Sequence, residues 1–276
     1  AGISSGFPYW DYYIGGGYRR GTVNVVGARP KVGKSFFCLK SAHHLAMNGI
    51  PVLYLDTELI REIQMDRLLS MITQIPLTDI ETGKCFKNSS DAAKLNDSKA
   101  MIKDVSSHIM HYNIGGCSIK SVLSIARRWL TKHVGFTPTG AAKPCLVIYD
   151  YIKLMDSGDV KSNMQEYQML GFLITAFHNF ATKYEIPILA TVQLNRDGVE
   201  REGGEVISGS DRILWLSSNF TILKAKLDTD LSEDPPINGT KKLIVTDTRF
   251  GSGMIRGDYI NVIDNLKNGT LTEGKP

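Results

Sequence analysis

The stretch from Thr22 to Met47 constrains the fold more than any other part of the chain. An aliphatic run, Thr22 to Val26, leads through Gly27 into Ala28-Arg29-Pro30-Lys31-Val32-Gly33-Lys34-Ser35. Ser35 to Met47 then carries a helical period that stops at Asn48-Gly49, ahead of Pro51. Strand, glycine-bearing loop, Gly-Lys-Ser and helix in that order meet the requirements of a phosphate loop. In such a loop the backbone N–H groups and the helix N-terminus face the phosphates. Lys34 neutralises the β and γ charges, and Ser35 offers its hydroxyl to magnesium. Residues 28–35 are therefore the expected cradle for ATP with Mg2+, although Ala28 stands where the general pattern has its first glycine.

Three further runs, Val52 to Leu55, Cys145 to Tyr149 and Ile188 to Val192, are short, continuous and rich in Val, Ile and Leu, as buried parallel strands are. Helical periods separate them. Gln165 to Tyr184 places Leu170, Leu173, Phe177, Phe180 and Tyr184 on one face, and Lys99 to Met110 and Ile119 to Thr131 read as further helices. The last of these turns Ile119, Val122, Ala126 and Trp129 inward and Lys120, Arg127 and Arg128 outward. Such alternation predicts a doubly wound α/β fold with a mostly parallel twisted sheet and helices on both faces. After Ser210 strand-like pieces follow at Ile213 to Leu216, Phe220 to Lys224, Leu243 to Thr246 and Tyr259 to Ile263, which extend the sheet with antiparallel strands or hairpins. Thr82 to Asn96 and Asp228 to Thr240 are polar, turn-rich and read as loops.

Composition excludes more than it assigns. The 276 residues, 42% of them hydrophobic, suffice for one large core, so a single domain over 1–276 is expected. No apolar run approaches the roughly 18 residues of a membrane span, and residues 1–10 lack the pattern of a secretion signal. A soluble cytoplasmic chain is expected. Cys38, Cys85, Cys117 and Cys145 are scattered without a CxxC pair, and the His108, His111 and Cys117 group reads as a helix end and a turn, so no structural metal is expected. A formal charge of +4 permits a polyanionic partner without announcing one.

Two carboxylates stand at strand ends. Cys145 to Tyr149 runs into Asp150, the position that holds magnesium through Ser35 and ordered water in a phosphate-loop enzyme. Val52 to Leu55 runs into Asp56-Thr57-Glu58, where Glu58 is the candidate base for an attacking water. The competing reading makes Asp56 and Thr57 helix caps and Glu58 a dipole partner.

Taken in order, these motifs resemble the motor of DnaB-type replicative helicases and the helicase half of phage primase-helicases, a RecA-like core. Gly6-Phe7, Gly15-Gly16-Gly17 and Arg20-Gly21 are similar to the start of that motor, here residues 1–20, and Ala28-Arg29-Pro30 before Gly33-Lys34-Ser35 to its variant phosphate loop. Leu146 to Met155 resembles the strand carrying the magnesium aspartate. Val192-Gln193-Leu194-Asn195-Arg196 resembles the strand end where a glutamine senses the γ-phosphate, which implies that role for Gln193. Ser208-Gly209-Ser210 and Thr248-Arg249-Phe250-Gly251 match the phage branch better than the bacterial one. The resemblance makes Arg249 an arginine finger for the adjacent subunit, with Asp247 where the bacterial pattern has a lysine. It makes 195–210 a DNA-binding loop, with Arg196 and Arg201 at phosphates.

The resemblance implies an ATP-dependent helicase that hydrolyses ATP at subunit interfaces, moves on single-stranded DNA, and assembles as a hexameric ring with primase as a possible partner. With only a few residues ahead of the motor, the primase or primase-binding domain of typical members is expected to be absent from these 276 residues. The alternative is a RecA-like recombination or regulatory ATPase that binds nucleotide and oligomerises without unwinding.

Overall fold

The computed structural model describes residues 2–152, 166–194 and 211–274. Its strands are β1 (Val23–Ala28), β2 (Val52–Asp56), β3 (Ile109–Asn113), β4 (Leu146–Ile152), β5 (Ile188–Gln193), β6 (Asn219–Ala225), β7 (Lys241–Thr248), β8 (Ile260–Asn265) and β9 (Thr270–Glu273). They form one nine-stranded sheet in the order β3-β2-β4-β5-β1-β6-β7-β8-β9. From β3 to β6 neighbours are parallel, and from β6 to β9 antiparallel. The helices are α1 (Pro8–Tyr13), α2 (Lys34–Met47), α3 (Arg61–Thr73), α4 (Leu77–Glu81), α5 (Ser89–Asp97), α6 (Lys99–His108), α7 (Ile119–Trp129), α8 (Glu166–Tyr184), α9 (Asp211–Leu216) and α10 (Asp228–Glu233).

The α/β architecture expected from the alternating runs is present, and the strand pattern explains it. Every residue of β1 is buried, with Val23 and Val25 entering one core and Val26 and Ala28 the other. A strand apolar on both faces is stable only with layers on both sides. One core holds α7 and α8, through Val122, Ala126 and Trp129 and through Leu173, Phe177 and Phe180. The other holds α2 and the leading segment. There Phe7 stacks on Phe37 at 4.3 Å between centroids, and the Trp10 indole N–H donates to Thr221 at 2.8 Å.

Several local expectations fail, each for a tertiary or capping reason. Ile213 to Leu216 is not a strand but most of α9: Ser217 N–H closes on the Ile213 carbonyl at 3.0 Å, and Ile213 is buried while Trp215 is 67% exposed. A strand would have put those two on the same face. The helix expected through Met110 ends at His108, because Ile109–Asn113 pairs with β2 as the edge strand. His111 accordingly lies in that strand and not in a turn. Within Thr82 to Asn96, α5 begins where the Asn88 side chain accepts from the N–H groups of Ser90 and Asp91. It has no buried residue, so hydrophobic period could not reveal it. α10 similarly occupies the start of Asp228 to Thr240. β6 joins the parallel half beside β1, and the antiparallel extension starts only at β7. Helix α3 and strand β9 were not read from the sequence. Among the described residues no helix is long and apolar enough to cross a membrane.

Candidate active site at the carboxyl edge of the sheet

The site lies where β1, β2, β4 and β5 end. Strand periodicity places Ala28, Tyr54, Asp56, Asp150, Thr191 and Gln193 on one face, since each is in the α2-side core or follows one of its residues by two or four positions. Register brings them level: Ala28 pairs with Gln193, and Asp56 with Asp150.

The expected phosphate loop leaves β1 at Ala28 and enters α2 at Lys34. Gly33 stands at the N-cap with φ 122°, a conformation that favours glycine, and gives α2 no side-chain cap. The first-turn N–H groups of α2 therefore suit an anion from outside the chain. Gly27 is fixed by close approach, as a Cβ there would lie 2.6 Å from Leu194 and 3.0 Å from Phe220. Leu194 N–H donates to the Ala28 carbonyl at 3.0 Å, and Arg29 donates to the Leu194 carbonyl at 3.0 Å, which ties the loop to the end of β5. Pro30 and Lys31 are exposed and Val32 half-buried.

Lys34 is buried, its ammonium 4.7 Å from the centre of the Tyr151 ring. Burial lowers its pKa, and Asp150 chiefly opposes that fall. Asp150 is buried too, and burial raises its carboxyl. Three hydroxyls work the other way: Ser35, then Thr191 at 2.8 Å and Tyr54 at 2.8 Å. A buried cation, an aspartate and a serine hydroxyl joined to it are the donor set that a triphosphate with Mg2+ needs. Lys34, Ser35 and Asp150 thus lie together at this edge.

Glu58 lies just past β2, exposed, and its carboxylate accepts from the Tyr151 hydroxyl at 3.0 Å. Neither Asp56 nor Thr57 caps a helix, because α3 has Ile60 at its N-cap. The Asp56 carboxylate turns back on its own loop, where Oδ1 accepts from the N–H groups of Glu58 at 2.8 Å and Leu59 at 2.7 Å. Oδ2 accepts from Gln64 at 2.7 Å and faces His111 Nε2 at 3.5 Å. Burial pushes the Asp56 carboxyl up, but His111, the two N–H groups and Gln64 together hold it below the usual carboxylate range. Tyr54, Tyr151, Thr191 and Gln64 were not singled out in the sequence, and His111 was considered only as part of a helix end and turn. For Tyr54, Tyr151 and Thr191 the available signal was a polar side chain inside an otherwise apolar strand, whereas Gln64 lies in helix α3.

Gln193 is exposed at the end of β5, beside the loop. Arg249 is elsewhere. Asn24 of β1 pairs with Asn219 of β6, and Asn219 with Thr248 of β7, so Arg249 stands level with the amino end of β1. The rise from Asn24 to Ala28 separates it from the phosphate loop by about 13 Å along the strands. Arg196 and Arg201 lie outside the described residues.

Residues 2–207 match the family described as DnaB-like helicase C terminal domain. The chain belongs to that family. Its ATPase core is thus that of a DnaB-like helicase. The sheet continues beyond the matched residues through β6 to β9. A probable replicative DNA helicase of Trieres chinensis is 28% identical over 232 residues, covering 78% of this chain and 47% of the relative. Replicative DNA helicase DnaB of Leifsonia xyli subsp. xyli is 26% identical over 263 residues, covering 91% and 52%. The chain spans about half the length of these curated relatives. In structure it is similar to a DnaB-like replicative helicase described with its primase interactions, with TM-score 0.82 at 20% identity over 99% of this chain and 62% of that one. The RadB recombinase aligns with TM-score 0.60 at 16% identity, over 99% and 100%. At these identities the likeness shows the fold, which is RecA-like.

Proposed function

We propose that residues 1–276 form a single motor domain of a ring-forming replicative DNA helicase, of the phage branch, that hydrolyses ATP between subunits to move on single-stranded DNA and unwind duplex. The position of Arg249 carries this reading. It is exposed at the edge of the sheet opposite Lys34, so its own phosphate loop is out of reach. An arginine that acts on ATP from there acts on a neighbour's. Phe250 and Tyr12, 49% and 70% exposed, flank that edge with apolar surface suited to a second copy. The alternative, a RecA-like recombination or regulatory ATPase, is favoured by the likeness to a recombinase, which has the same fold.

The residues then divide the work. Lys34 and the first turn of α2 bind the triphosphate. Ser35 and Asp150 would hold Mg2+, which would neutralise phosphate charge. Glu58 accepts a proton from the attacking water, released from Tyr151 or with that contact rearranged. Gln193, tied through Leu194 and Ala28 to the loop, senses the γ-phosphate and passes the change to residues 195–210, where Arg196 and Arg201 meet DNA phosphates. A hexamer and a primase partner complete the proposal, the latter supported by the primase interactions described for the DnaB-like helicase of similar structure.

The test is ATP turnover with and without single-stranded DNA at several salt concentrations. Arg249→Ala leaves nucleotide binding to the isolated subunit unchanged and lowers DNA-stimulated turnover on the order of a thousand-fold. Adding inactive Lys34→Ala subunits, which still carry Arg249, restores part of it. A mixture that stays dead although light scattering shows assembly removes the finger from the mechanism. Turnover indifferent to DNA favours the alternative.

A further inference from the structure

We propose that Asp56 is a positioning residue for Glu58, holding the loop that carries the base and itself held by Gln64 of α3 and His111 of β3; this rests on Glu58 being the base. Residues 57–60 belong to no helix or strand, so no ladder of backbone bonds fixes Glu58. Within the loop its own N–H and that of Leu59 are both donated to Asp56 Oδ1, while the Thr57 N–H donates to the Asp150 carbonyl at 2.9 Å, the Asn113 amide to the Leu59 carbonyl at 3.0 Å and the Tyr151 hydroxyl to the Glu58 carboxylate.

The acceptor count decides the role of Asp56. An ionised carboxylate offers about four lone-pair positions. Here four N–H donors face them: Glu58 and Leu59 on Oδ1, Gln64 at 2.7 Å and His111 at 3.5 Å on Oδ2. Asp56 is 2% exposed. It is level with Asp150 in the sheet, but its oxygens are engaged by the base loop, Gln64 and His111, which suits it to hold the loop. Facing a carboxylate, which only accepts, His111 donates from Nε2. Nδ1 is buried without a hydrogen-bond partner among the described residues, so the ring's one polar contact there is with Asp56. The Asp56 carboxylate thus joins α3 and the edge strand to the base loop. A base displaced by about 1 Å can lose on the order of a hundred-fold in rate.

Single-turnover ATP hydrolysis with DNA, run beside nucleotide binding and thermal unfolding, tests the brace. Asp56→Ala lowers the hydrolysis rate on the order of thirty- to a hundred-fold and leaves nucleotide affinity unchanged, because Lys34, Ser35 and Asp150 are untouched. Asp56→Asn keeps Oδ1 for both N–H groups, and Gln64 can turn its carbonyl oxygen to the new amide, so it recovers most of the rate. Gln64→Ala frees only Oδ2 and gives a smaller loss, which keeps the idea testable should Asp56→Ala fail to fold. The decisive arm is the Glu58→Gln background, where Asp56→Ala and Gln64→Ala add no further loss. Additive losses there, or an Asp56→Asn as slow as Asp56→Ala, overturn the brace while Glu58 remains the base. Wild-type hydrolysis by Glu58→Gln alone overturns the base assignment and the brace with it.

Discussion

The two edges of the sheet are built on opposite plans. At the carboxyl edge, charge is buried and both strand-end aspartates are oriented by named donors: Asp150 by three hydroxyls, Asp56 by four N–H groups. At the amino edge of β1, Arg249 is exposed on a hairpin whose backbone is pinned while its side chain is not buried. Arg249 N–H donates to the Ser218 carbonyl at 2.9 Å, and Gly253 N–H to that of Tyr13 at 3.2 Å. Arg19 lies over the Phe250 ring at 4.9 Å. A pre-set pocket on one side and a rigidly presented arginine on the other make sense when catalysis needs two subunits. Under the proposed function each edge supplies what the other lacks, and reorganisation at the moment of reaction is kept small.

Substitution at either edge tests that contrast, and the largest effect belongs to the pocket. Lys34→Ala abolishes turnover by a folded chain, because Lys34 acts on phosphate charge and its loss leaves the sheet intact. Circular dichroism confirms the fold and phosphate release reads the loss. Hydrolysis near the wild-type rate would remove the site from this edge.

A smaller effect is expected from Gly251→Ala, which probes how firmly the arginine is presented. A Cβ there runs into the Tyr13 carbonyl and the backbone of Gly15. The hairpin must shift, at about 1–3 kcal/mol of stability by the usual cost of overpacking. DNA-stimulated turnover falls with it while nucleotide binding by the single subunit holds. An unchanged melting temperature would show that the hairpin is loose and the contrast between the edges overstated.

The smallest effect concerns pH. Glu273 of β9 accepts from the N–H groups of Tyr9 at 2.9 Å and Trp10 at 2.7 Å, fastening the leading segment to the far end of the sheet. Burial pushes its carboxyl from 4.5 up to about 7, against the pull of those two bonds. Between these values the folded chain binds more protons than the unfolded one. Its contribution to stability is therefore full below 4.5 and is lost as pH rises to about 7. Thermal unfolding across that range should show this slope in the wild type and lose it in Glu273→Gln. Equal slopes would mean that the group titrates as it does in the unfolded chain.

Much of the catalytic edge was legible because its signals are local. Ala28 to Ser35 read as a phosphate loop since a strand, a glycine and a helix start must be adjacent in sequence to make one. Asp150 was legible as the end of a buried strand. Arg249 was found by resemblance, and nothing in its neighbours told which edge it would occupy. The clamp around Asp56 was not legible, and the nearest local reading made that residue a helix cap, because Gln64 and His111 come from two other elements. His111 itself sits in a strand that exists only because β2 offers an unpaired edge to Ile109–Asn113. In α9 the apolar run fitted a strand, and burial of Ile213 with exposure of Trp215 decided for a helix.

Local chemistry along the chain dictates the parallel core, the phosphate loop and the strand-end aspartate, since period, turn residues and the start of α2 act over a few positions. The edge strand, the company kept by each carboxylate and the side of the sheet from which Arg249 projects were settled only when the sheet assembled. Those depend on register between strands far apart in the chain. Register is set by which faces must be buried together, and no short segment carries that information.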